Sequence, residues 1–77
     1  MSKFALSELS EWARAIEERR RALGVFEHEI SEAAGKSRHW WSLTKVRVLP
    51  PPNWAELEAR IMDYLNQVEE RRGKSDV

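Results

Sequence analysis

Three interruptions govern what this chain can fold into: Gly24, Gly35 and the prolines at 50, 51 and 52. A glycine after an apolar run lets the backbone turn through positive φ without a Cβ clash. Three successive prolines have no N–H to give a helix or a sheet, and they force the preceding Leu49 towards an extended state. Between these breaks the apolar residues recur at helical spacing, and no alternating pattern is long enough for a strand. The expectation is an all-α domain of four or five short helices.

The first helix is expected over 6–23, with Leu6, Leu9, Ala13, Ile16 and Leu23 on its apolar stripe and Gly24 as its C-terminal cap. Glu8, Glu11, Arg14, Glu17, Glu18, Arg19 and Arg21 read as its solvated face, with Glu17 and Arg21 as an i,i+4 pair. A short second helix over about 26–34 turns Phe26, Ile30, Ala33 and Ala34 inward. Gly35, Lys36 and Ser37 form a tight turn. Ser37, a good N-cap residue, opens a third helix over about 38–46. A stiff Pro-rich linker over 49–52 leads to a final helix over 53–70. Asn53 and Glu56 have capping-box spacing there, and Leu57, Ile61, Tyr64, Leu65 and Val68 make the stripe. Residues 1–72 read as one domain and 73–77 as a disordered tail.

A core drawn from 77 residues is small and needs efficient burial or a partner. Cysteine is absent, so there is neither a disulfide framework nor a thiolate metal site. His28 and His39 are too few to hold a metal. The opening residues mix charge and apolar groups and do not read as a secretory signal. No apolar run approaches the ~20 residues of a membrane span. The expected setting is cytoplasmic, with no membrane partner. Ser37 and His39 lack an acid that could complete a triad, and the carboxylates lie on charged helix faces. No enzyme activity, cofactor or small-molecule substrate is expected.

Net charge is zero, from 13 basic and 13 acidic residues, whereas DNA-binding domains are more often basic. The distribution says more than the sum. No Asp or Glu lies between Glu32 and Glu56, and that window holds Lys36, Arg38, Lys45 and Arg47. It carries +4, and the remainder −4. Two adjacent tryptophans sit inside it. Trp41 is assigned to the core. Trp40, about 100° round the helix, covers a flank of that core or stands exposed, where it can meet a protein partner, a sugar or a thymine methyl group. Trp12 and Trp54 lie on apolar helix faces and are read as core.

The stretch "EISEAAGKSRHWWSLTK", with a helix before it and a proline-led helix after it, resembles the Cro/phage-repressor (XRE-like) helix-turn-helix family. Ile30 fits the family's Leu, Ala34-Gly35 its Ala-Gly, Ser37 the Ser that opens the recognition helix, and Trp41 a buried Ile or Val. The resemblance spans about residues 6–66. Four positions depart from it. Ser31 replaces an Ala, Lys36 an apolar turn residue and Thr44 an apolar residue whose contact Leu43 or Val46 would supply. Glu27 stands about where the family has a phosphate-contacting Gln, and a carboxylate there repels phosphate. The resemblance implies a phage or mobile-element regulator, a repressor of transcription, that binds double-stranded DNA as a homodimer on two half-sites. Arg38, His39 and Ser42 would contact bases, and Lys36, Ser37, Lys45 and Arg47 phosphates. The alternative is a protein-interaction module, with Trp40, Leu43 and Val46 facing a protein partner or a second copy.

Overall fold

A computed structural model describes residues 8–75. Among them are four α-helices and no strand: α1 (Glu11–Leu23), α2 (Glu27–Ala33), α3 (Trp40–Thr44) and α4 (Trp54–Ser75). The 22 residues of α4 span about 33 Å and set the long axis of a molecule measuring 41 × 25 × 20 Å. α1 and α2 both rest on α4, and α3 rests on α2. No described helix is long and apolar enough to cross a membrane.

Glycine ends the first two helices by one device. The N–H of Gly24 bonds to the carbonyl of Arg21 and that of Val25 to Arg20, with Gly24 at φ 71°. The N–H of Gly35 bonds to Glu32 and that of Lys36 to Ser31, with Gly35 at φ 75°. Both are Schellman closures, which satisfy carbonyls left open at a helix end and reverse the chain. The first carries Val25 into the core at 5% exposure.

The core is built from Leu9, Ala13, Ile16, Val25, Ile30, Ala34, Trp41, Leu57, Ile61 and Leu65. Trp41 is its largest wholly buried side chain. Its ring lies 6.1 Å from Trp12 edge-on and 6.2 Å from Trp54 face-on, and Trp12 and Trp54 meet at 4.9 Å. This triangle joins the start of α1, the middle of the chain and the start of α4. Trp40 is half-buried, tilted against Trp41 at 5.9 Å.

Several expected boundaries move. α1 starts at Glu11, and Leu6 lies outside the described residues. Phe26 does not turn inward. It is 66% exposed and stacks on His28 at 5.6 Å, while Val25 takes the interior place. α3 has five residues where nine were expected, and His39, not Ser37, occupies its N-cap position. Glu56 forms no capping box with Asn53. Its carboxylate pairs with Arg60 at 3.4 Å, while the Asn53 carbonyl accepts the N–H groups of Glu56 and Leu57. Asn53 adopts φ 60°, a left-handed conformation that Asn tolerates better than most residues. α4 continues through Gly73 to Ser75, so part of the expected tail is helical.

Replacing Trp41 with Ala would open the centre of this core. The expected cost is about 3–5 kcal/mol, read as a fall in the urea midpoint of unfolding monitored by circular dichroism.

Candidate functional site

The region of interest runs from the end of α2 to the linker before α4. Its placement begins with a residue from elsewhere. Glu17, in α1, is wholly buried, although it belongs to a run of charges expected to face solvent. Arg20 grips its carboxylate with two bonds, Nε to Oε1 at 2.5 Å and Nη2 to Oε2 at 3.0 Å. The indole Nε1 of Trp41 donates to Oε1 at 2.8 Å, and Lys45 Nζ donates to Oε2 at 3.1 Å. Arg21 Nη2 stands 3.2 Å from the same carboxylate. Burial pushes the Glu17 carboxyl up, but the bonds from Arg20, Trp41 and Lys45 outweigh it and hold the pKa at about 2.

The network extends through α2. Lys45 also pairs with Glu27, whose other carboxylate oxygen accepts the Ser42 hydroxyl at 3.1 Å. Burial raises the Glu27 carboxyl, but Lys45 and Ser42 prevail and leave it below its ordinary range. Ser31, wholly buried on α2, accepts the backbone N–H of Trp41 at 2.8 Å. It thereby caps the start of α3 from a neighbouring helix, the role that Ser37 was expected to fill. Behind α3, the Arg47 carbonyl accepts the Ser10 hydroxyl at 3.1 Å and the Trp12 indole N–H at 3.2 Å. α3 is thus held from α1 and α2 by polar bonds on its inner side and just beyond its end.

The inner side comprises Trp41, Thr44 and Lys45, at 0%, 5% and 6% exposure. Thr44 itself fills the position that Leu43 or Val46 was expected to serve, and both of those are exposed. The expected contact residues therefore divide. Lys45 is no phosphate contact: it is buried and its charge is spent on Glu17 and Glu27. Ser42 is half-buried and donates its hydroxyl to Glu27. Glu27 is neutralised by Lys45 and does not confront an incoming phosphate as a free carboxylate.

Lys36, Ser37, Arg38, His39 and Arg47 are all exposed. Among the described residues the side chains of Lys36, Arg38 and Arg47 have no ion-pair or hydrogen-bond partner. Elsewhere Arg19 pairs with Glu69, Arg20 and Arg21 with Glu17, and Arg60 with Glu56. Between the end of α3 and the proline linker lies a groove of about 320 Å³, bordered by Lys36, Trp40, Arg47, Pro51, Pro52 and Asn53. No three His, Asp or Glu side chains converge on a metal-binding geometry among the described residues. Comparison of the chain with family models, curated proteins and solved structures returns no match.

Sequence reasoning missed the Glu17 centre. A signal for it exists. Arg20 falls inside the stripe of Leu9, Ala13, Ile16 and Leu23, and Glu17 lies at its edge, one turn after Ala13. A charged pair on an apolar helical face must find partners within the core.

Glu17→Gln leaves Arg20 and Lys45 short of a buried counter-charge and should cost about 3–5 kcal/mol in chemical denaturation. The pH dependence has a defined sign. The folded pKa lies below the ordinary 4.5, so this stabilisation is complete above pH 4.5 and fades as pH falls towards about 2. Melting temperatures of the parent should drop through that window. The variant should lose Glu17's share of the drop and retain the share of Glu27, whose pKa is lowered in the same sense.

Proposed function

We propose that this chain is a sequence-specific DNA-binding regulator of the repressor-like helix-turn-helix type. In this reading α2 and α3 are the two helices of the motif, and the exposed edge of Arg38 and His39 enters the major groove. The observation that carries it is the division of cations in the acid-free window. Lys45 is consumed internally, whereas Lys36, Arg38 and Arg47 are exposed and have no partner among the described residues. Unpaired guanidinium and ammonium groups along one edge suit phosphate oxygens and guanine edges. Neutral net charge is compatible with this, because the local field, not the sum, steers an anionic partner.

A duplex-binding titration at several salt concentrations tests the reading. Two neutralised phosphates per chain, at Lys36 and Arg47, give a slope of about −2 in log affinity against log salt. Arg38→Ala should weaken specific binding by about 1–3 kcal/mol and relax base preference. Lys36→Ala should reduce the salt slope by about one with no change in melting temperature. Lys45→Ala should instead lower the melting temperature. Absence of any duplex binding at low salt would refute the proposal.

A second reading draws on the apolar surface beside that edge. Leu43, Val46, Val48 and Leu49 are exposed by 68%, 42%, 81% and 74%. A protein partner or a second copy of the chain would cover them, giving an interaction module or the dimer contact of a DNA-binding pair. Trp40 contributes less to such a surface than expected, since it is half-buried against Trp41. Sedimentation of the parent and of a Val46→Glu, Val48→Glu variant decides whether the strip joins two copies. A parent that stays monomeric at high concentration removes the second copy from consideration.

A further inference from the structure

Leu43 is 68% exposed on the side of α3 opposite Trp41, Thr44 and Lys45. Its N–H bonds to the His39 carbonyl at 3.3 Å, so it stands one helical turn beyond His39. Its neighbour Ser42 is half-buried and donates its hydroxyl to Glu27 on α2. The edge that offers Arg38 and His39 therefore continues in a branched aliphatic side chain, not in a hydroxyl. An exposed leucine contributes nothing to phosphate binding. The major groove offers it one apolar group, the 5-methyl of thymine.

Resting on the DNA-binding reading above, we infer that Leu43 is a specificity-determining residue that packs on a thymine methyl group. Four residues of helical rise cover about 6 Å, or roughly two base-pair steps. The thymine accordingly lies within about two base pairs of the base that His39 and Arg38 approach. The pairing couples two unlike contacts, one just ahead of α3 and one on it. The cation selects a purine acceptor pattern, and the leucine selects against cytosine, which lacks the methyl.

The full chain is used to select duplexes from a random library, and the thymines of the selected site are then replaced one at a time by deoxyuridine. That change removes only the methyl group. The expected result is one position at which the replacement weakens binding roughly three- to five-fold, the value of one buried methyl. Leu43→Ala, at an exposed position, should keep the parent's circular dichroism and melting curve and bind the thymine and deoxyuridine duplexes equally. The inference is overturned if every single replacement is silent, or if Leu43→Ala keeps the parent's preference. A chain that selects no duplex overturns the DNA reading as well, and that outcome is distinct from binding that ignores the methyl.

Discussion

Everything around α3 depends on one buried carboxylate. Five residues of helix cannot persist alone, since nucleation costs more than one turn of hydrogen bonds returns. Glu17 supplies what the local sequence lacks. It holds the Trp41 indole and the Lys45 ammonium from below, and Arg20 keeps it ionised in the interior. An ion pair of this kind is a poor source of net stability, because desolvation consumes much of its attraction. What it does provide is direction. Apolar contact tolerates rotation of a short helix about its axis, whereas hydrogen bonds at fixed angles do not. Ser31 and the clasp of Ser10 and Trp12 on the Arg47 carbonyl fix the same orientation from two further sides.

That orientation sorts the charges. A window of +4 in the sequence becomes three outward cations and one inward ammonium, and a carboxylate that looked hostile to phosphate becomes the partner of the inward one. Glu27 and Lys45 make sense only as a pair. Alone, Glu27 reads as a misplaced charge and Lys45 as a phosphate contact, and together they pair internally and leave Lys36, Arg38 and Arg47 outside.

Much of the fold was legible because it follows from local chemistry. Gly24 and Gly35 announce helix ends by the conformation they permit, and the prolines announce a break by the hydrogen bonds they cannot make. The stripe of Leu57, Ile61 and Leu65 needs only periodicity. Trp41 was placed inside by the same logic and by the resemblance. The failures share a different cause. Glu17 looked solvated because two of its partners, Trp41 and Lys45, lie 24 and 28 residues away in the chain. Ser37 looked like a cap because nothing local reveals that Ser31 will cap α3 from across a helix junction. Val25 takes the inward place expected for Phe26 because the closure at Gly24 decides which of two adjacent apolar residues points inward. Of the candidate contacts, Lys36, Ser37, Arg38, His39 and Arg47 lie outside as expected. Lys45 is buried and Ser42 half-buried, for the long-range reason that governs Glu17.

The inward stripe of α3 and its outward edge share no residue. Trp41, Thr44 and Lys45 carry the structural contacts, and the side chains of Arg38, His39 and Leu43 carry none that the core needs. The two sets can therefore be altered independently. A library randomised at 38, 39 and 43 would retain its folding stability almost throughout, since exposed substitutions rarely shift it by more than about 0.5 kcal/mol. The domain is in this sense a mount whose outer edge can be exchanged without rebuilding the interior.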